Sequence, residues 1–396
     1  MADIITKFGQ YVNKEMLNHP DRARKELIFG FSAFNLKLKY SPDKELSPAR
    51  KYLAQVCMKA HIDSLKNVEN AALISIFLPC EILQSFGITP FFAEGFSGYI
   101  TGAYAEKGFI EAAEAAGIAE TYCSYHKTIM GAAFSGVLPK PKFIINTSIA
   151  CDANNLTFRA LSEYFDVPQF YIDIPPEQSE ESVEYVADQL RDMVKFIEEQ
   201  TGKTLDESRL KAAVSRTAQS LKNMDESFRL KKNVCSLNDI TSEMYEVFMT
   251  HPLLGTEEML KYSGMLVDDL KKAPPKKGIR LLWMHTIPYF QEPLRERLNF
   301  NEKCQIIACD MNFENIVETD PEKPYESMAR RIVMSRFNGS SDNRINKAIE
   351  MSKLMDIDGV IYFCHWGCKQ TMGAAVNAKN ALEKAGFPTL ILNGDG

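Results

Sequence analysis

The chain of 396 residues predicts an α/β fold: two α/β domains with mainly parallel sheets, joined by a helical segment. Three observations predict it. Short apolar runs alternate with helical patterns, the runs fall into two groups, and a charged stretch without any such run separates the groups. The first thirty residues, MADIITKFGQYVNKEMLNHPDRARKELIFG, mix both charges and open a helical region. That region and the first α/β domain together span 1–176. From about residue 70 the runs ALISIFLPCE, ITPFFAEG, KFIINTSIACD and PQFYIDIPP read as strands of a sheet covered by helices. Between 177 and 270, Val183, Val186, Leu190, Val194 and Ile197 repeat at helical spacing, so this stretch is read as two or more long helices. The segment LKKAPPKKG, Leu270 to Gly278, carries a proline pair and a closing glycine and reads as a linker. The second domain, 271–396, has its own runs: IRLLWMHT, KCQIIACD, DGVIYFCHWGC and FPTLILNGDG.

Composition removes several function classes. The chain is 45% hydrophobic, enough for a large core, and its formal net charge of −6 repels nucleic acid and anionic membranes alike. No run reaches the roughly 18 apolar residues that a membrane span needs. A cytoplasmic location is expected. In that reducing compartment nine cysteines do not form a disulfide framework, so ligation, catalysis or burial must account for them.

Their placement is informative. Cys80, Cys123, Cys151, Cys364 and Cys368 follow apolar, strand-like runs. A strand that turns into a helix puts its last residue beside unpaired N–H groups and the positive end of the helix dipole, which favours thiolate. The two segments KFIINTSIACDANNLTFRALSEYFDVPQFYIDIP and GVIYFCHWGCKQTMGAAVNAKNALEKAGFPTLILNGDG share one grammar of strand, cysteine, helix, proline turn and strand. SIFLPCEILQSFGITPFF is a shorter version of it. Ligands bind at the carboxyl ends of such strands, so two facing domains would bring thiolates to one cleft. Each cysteine also has a plainer reading. Cys57, Cys235 and Cys304 read as packed residues, and Cys80 and Cys151 taken singly do too. The pair Cys364 and Cys368 shifts the balance, because the glycine in CHWGC lets the backbone approach a bulky ligand. Cys309, in IIACDMNFE, also stands at a strand end.

Structural zinc usually shows two close cysteine knuckles, and ferredoxin spacing is equally regular. Here there is one close pair and a scatter over nearly three hundred residues, which fits a cluster buried between domains. The segments PCEILQSFGITPFF, CSYHKTIMGAA, NTSIACDANN, FCHWGCKQTMGAA and LILNGDG closely resemble the 2-hydroxyacyl-CoA dehydratase and benzoyl-CoA reductase superfamily. The resemblance runs from about residue 70 to the last residue, and the HWGCKQ segment is most similar to the double-cubane-cluster reductases. It implies a paired α/β architecture, a homodimer, oxygen-sensitive iron–sulfur centres and a separate ATP-hydrolysing iron–sulfur activator. Carried over by motif, Cys80, Cys123, Cys151, Cys364 and Cys368 become cluster ligands, with Cys309 as a sixth. One cubane takes about three of these, so five favour an [8Fe-9S] double cubane, with a single [4Fe-4S] cluster as the alternative. The resemblance also implies more chain after Gly396, where NGDG ends on a strand.

The sequence has neither a G-x-x-x-x-G-K-[ST] nor a G-x-G-x-x-G turn, so energy and electrons are expected from the partner. His365 and His126 adjoin the matched cysteines as proton donors or second-layer hydrogen-bond partners, as do Glu81 and Lys127; His285 is a further polar candidate. The expectation is thus the catalytic component of an ATP-dependent low-potential reductase acting on a small-molecule or acyl-CoA substrate. The alternatives are a subunit of an (R)-2-hydroxyacyl-CoA dehydratase, whose reduced cluster turns a thioester into a ketyl radical, and a non-catalytic cluster scaffold.

Overall fold

The computed structural model describes residues 2–395. The eight apolar runs all become strands, and both sheets are parallel throughout, as an alternation of strand and helix dictates. The first sheet comprises β1 (Ala72–Ile74), β2 (Pro90–Phe92), β3 (Phe143–Thr147) and β4 (Gln169–Ile172), in the order β2-β1-β3-β4. The second comprises β5 (Ile279–Met284), β6 (Cys304–Cys309), β7 (Gly359–His365) and β8 (Thr389–Gly394), in the order β6-β5-β7-β8. The two orders are the same once each sheet is counted from its own first strand. The internal similarity of the sequence is therefore a repeated topology. In each sheet the chain reverses direction of travel beside its first strand, between β1 and β3 and between β5 and β7. A crevice opens outside the carboxyl ends there.

The N-terminal region forms the helices Ala2–Glu15, Pro20–Tyr40 and Pro48–Lys66, two of which start on proline at a position that needs no N–H. Between the sheets run Glu180–Thr201, Glu207–Lys231, Ile240–Thr250 and Glu257–Lys272. Val183, Val186, Leu190, Val194 and Ile197 are all buried, which is the stripe their spacing calls for. After this last helix the proline pair stays extended, and Pro275 makes a single antiparallel bridge to Val234. Among the described residues no helix is long and apolar enough to cross a membrane.

The helical segment is more than a connection, because buried residues of both sheets and of these helices form one continuous core. Buried charge fixes how they meet. Arg331, from the second half, donates to Glu81 at the head of the helix Glu81–Phe86, and Thr217 of Glu207–Lys231 donates to the same carboxylate at 2.7 Å. Arg50 reaches Glu243 at 2.9 Å and Glu246 at 3.4 Å, and the Tyr262 hydroxyl donates to Glu246 at 2.6 Å. Such pairs are expensive to break, since removing one partner strands a buried charge. The Glu81–Arg331 pair ties the two halves of the chain together, and the Arg50 cluster ties the N-terminal helices to the helical segment.

Candidate active site

The carboxyl ends of both sheets meet at a cavity of about 110 Å³. The first sheet contributes Ile76 and Phe77 after β1, Glu94 after β2, and Cys151 and Asn154 after β3. The second contributes His285 and Thr286 after β5, Met311 after β6, and His365, Cys368 and Gln370 from the end of β7 onward. Both reversal points thus face one space. The walls are aromatic, with Phe92, Tyr125, Tyr245, Phe248, Tyr289 and Phe337 excluding water from its sides. Tyr245 and Tyr289 share a hydroxyl hydrogen bond of 2.8 Å, so even the polar tips of that wall are paired.

Three of the cysteines line this cavity: Cys123, Cys151 and Cys368. Each is the residue that precedes a helix, Ser124–Phe134, Asp152–Phe165 and Lys369–Lys384 respectively; a strand leads to Cys151 and Cys368 as expected, whereas Cys123 follows the helix Glu106–Ala115 and not the strand-like run expected of it. Charge on Cys151 or Cys368 opposes ionisation of Cys123, and charge on Cys368 opposes that of Cys151, so the thiols are close enough to act on one another electrostatically. A glycine brings them together. At Gly367 a side-chain carbon would lie 2.3 Å from the Cys123 Cα, so only glycine lets the loop before Cys368 rest on the Cys123 backbone. The sequence reading gave this glycine to close approach of a ligand; the structure assigns it to close approach of one cysteine loop to another.

The other matched cysteines stand elsewhere. Strand β1 ends at Ile74, and the following segment carries Cys80 to a fully buried position where its thiol donates to the Leu78 carbonyl at 3.4 Å. Cys364 lies within β7, paired with Asn393, and alternation sets it on the opposite face of the sheet from its neighbours Phe363 and His365. The Cys309 thiol donates to the His285 carbonyl at 3.3 Å. Cys57 and Cys235 are buried and Cys304 is half-buried in β6.

Helix N-termini were expected to favour thiolate. Burial outweighs them. It pushes the Cys151 thiol up to about 12 and raises Cys80, Cys123, Cys309 and Cys364 as well. These groups are thiols until a cation compensates the charge, and loading a metal centre here would release protons. Among the described residues no three or more His, Cys, Asp or Glu groups gather closely enough for a single metal ion. An iron–sulfur cluster would take its thiolate ligands on several irons and not on one ion. Three mutually interacting thiols around an apolar cavity fit that demand.

Polar groups are few and specific. His126 Nε2 is 3.8 Å from the Cys151 sulfur; burial and the neighbouring His365 lower its pKa to about 4. His365 Nε2 stands 3.3 Å from the Ser124 hydroxyl and 3.2 Å from Asp395, and burial lowers its pKa while Asp395 opposes the shift. Glu94 was not singled out from sequence. Burial raises its carboxyl to about 7, although it accepts a hydrogen bond from the Ile76 N–H at 3.3 Å. Its position just after a strand end was the available signal. Glu81 and Lys127 do not line the cavity. Glu81 is held by Arg331 and Thr217, and Lys127 donates to Glu114 at 2.7 Å and to the Glu120 carbonyl at 2.8 Å.

The family described as 2-hydroxyglutaryl-CoA dehydratase, D-component, matches residues 75–396. The (R)-phenyllactyl-CoA dehydratase alpha subunit of Clostridium sporogenes is 20% identical over 375 residues, covering 88% of this chain and 90% of that subunit. The lactoyl-CoA dehydratase subunit alpha of Anaerotignum propionicum is 21% identical over 351 residues, covering 80% and 83%.

Proposed function

The chain belongs to the 2-hydroxyglutaryl-CoA dehydratase D-component family, and from that membership we propose that it is the iron–sulfur component of a 2-hydroxyacyl-CoA dehydratase, with one [4Fe-4S] cluster on Cys123, Cys151 and Cys368. The observation that carries this reading is the convergence of three thiols, each at the start of a different helix, on one apolar cavity between two crevices. These three thiolates would hold such a cluster one protein ligand short of the four that full ligation takes. The reductase reading with a double cubane needs more ligands, and Cys80 and Cys364 lie outside the cavity, so the geometry favours the single cluster.

When bound, the cluster supplies one electron at low potential. The chain's own residues do the rest. The aromatic walls keep water from the acyl group, and the low polarity strengthens every hydrogen bond made inside. Glu94, with its carboxyl near neutrality, is matched to giving or taking a proton at working pH. His126 is held uncharged beside Cys151, where it is a hydrogen-bond partner for the ligating sulfur. A separate ATP-hydrolysing activator delivers the electron, and a second subunit or second copy completes the enzyme.

The reaction to test is loss of water from an (R)-2-hydroxyacyl-CoA to give the 2-enoyl-CoA. Protein purified without oxygen is mixed with an activator from a related dehydratase, its partner subunit, ATP and a strong reductant, and enoyl thioester is followed by absorbance. ATP-dependent formation of enoyl-CoA is expected. A cluster that leaves for acceptor proteins, without turnover on any 2-hydroxyacyl-CoA, would instead make the chain a cluster scaffold.

A further inference from the structure

His285 is the first residue after β5, at the reversal point of the second sheet, and it faces the same cavity as Cys123, Cys151 and Cys368. Its backbone has φ of +80°, a conformation that residues with a side chain rarely adopt. Such a conformation persists only where the surroundings impose it. They do so on both sides. The His285 N–H donates to Asp310 at 2.8 Å, and Arg344 donates to the other oxygen of that carboxylate at 2.6 Å. The His285 carbonyl accepts from the Cys309 thiol at 3.3 Å, and the next carbonyl, of Thr286, accepts from the Trp283 indole at 3.0 Å.

The ring these contacts aim is unsatisfied. Nδ1 of His285 is buried and has no hydrogen-bond partner among the described residues. A buried polar atom without a partner is unfavourable, so a strained backbone and an unpaired nitrogen together need a compensating event. The ring sits edge-on to His365 at 6.1 Å, and the Arg344 charge acts on it. Burial, Arg344 and His365 all oppose a second proton, so the imidazole is neutral, with one N–H to donate and one lone pair to offer. A neutral imidazole can donate to an oxygen that gains negative charge without surrendering its proton to it.

We propose that His285 is a substrate-contact residue that donates a hydrogen bond to the thioester carbonyl oxygen of the bound acyl-CoA. The proposal rests on the dehydratase reading above, which puts an acyl thioester in this cavity. It gives the Asp310–Arg344 pair a function: the pair positions the ring by fixing the backbone that carries it. An electron added to the thioester places charge on that same oxygen, so the hydrogen bond strengthens as the reaction proceeds.

The test is the infrared carbonyl band of a bound acyl-CoA labelled with ¹³C at the thioester, recorded on the anaerobic holoprotein and on two variants. His285→Asn is chosen because asparagine tolerates positive φ and is too short to reach, and His285→Gln because it restores a donor on a longer arm. In the parent protein the band is expected below its solution frequency. H285N should return it to the solution value and H285Q should recover part of the shift, both with unchanged iron content. Turnover by H285N should fall by roughly 10²–10³-fold in kcat, the loss seen for a single oxyanion donor. An identical band in parent and H285N would overturn the assignment of His285 and leave the dehydratase reading standing. Failure of the parent protein to bind any acyl-CoA would overturn both.

Discussion

Substituting Gly367 by alanine tests whether Cys123 and Cys368 act as a unit. The added carbon would stand 2.3 Å from the Cys123 Cα and 2.8 Å from its nitrogen, against the 3.4 Å at which ordinary contact begins. Both neighbours are backbone, so no side chain can rotate away, and the loop before Cys368 must retreat by about 1 Å. Overpacking of this kind costs about 1–3 kcal/mol. The larger effect is on the centre. Metal–ligand distances tolerate about 0.2 Å, so a shift several times larger separates one thiolate from the other two. Gly367→Ala should therefore lose most of its iron and acid-labile sulfide after anaerobic purification, while melting only a few degrees lower. Gly373→Ala, in the helix that follows this loop, is the control, because a side-chain carbon there meets nothing within 4 Å. It should keep its iron and gain up to about 1 kcal/mol, the difference between alanine and glycine in a helix. Full iron content in G367A would refute the claim that these two loops must touch to build the site.

Glu94→Gln should change how stability depends on pH. The folded carboxyl, raised to about 7 from its ordinary value of 4.5, binds its proton more tightly than the unfolded chain, so its contribution is complete below about 4.5 and is lost as pH rises through about 7. At 1.36 kcal/mol per unit this is about 3 kcal/mol, and urea midpoints of the metal-free protein at pH 5 and pH 8 should converge in E94Q; parallel profiles for parent and variant would contradict it. Arg331→Met leaves the Glu81 carboxylate buried with Thr217 alone and should cost about 3–5 kcal/mol by chemical denaturation, much of it recovered in the double variant R331M/E81L. A single variant as stable as the parent would mean that the pair does not clamp the two halves.

Much of the scaffold was legible because its signals are local. Alternating apolar runs and helical patterns produced all eight strands, and Cys80, Cys123, Cys151 and Cys368 each begin a helix as expected, although the element before Cys123 is the helix Glu106–Ala115 and not a strand. What the sequence could not tell is which of them meet. Cys80 satisfies the same grammar, yet β1 stops six residues before it and the chain between turns it into the core. Cys364 reads as a strand-end residue, but β7 continues one residue further to His365 and keeps Cys364 inside the ladder. The protonation state was misread for a related reason. The helix dipole is a local property visible in sequence, whereas the burial that overrides it depends on walls from both halves of the chain. Glu94 and the aromatic walls were missed because nothing in FFAEG distinguishes a cavity carboxylate from a surface one until the second sheet is in place.

The most direct measurement is iron and acid-labile sulfide per chain, with electron paramagnetic resonance of the reduced form, on anaerobically purified parent protein and on each cysteine-to-serine variant. About four irons in the parent are expected, lost in C123S, C151S and C368S and kept in C80S, C309S and C364S. About eight irons, or loss of the centre in C80S or C364S while the fold is intact, would contradict a single cluster held in the cavity between the two sheets.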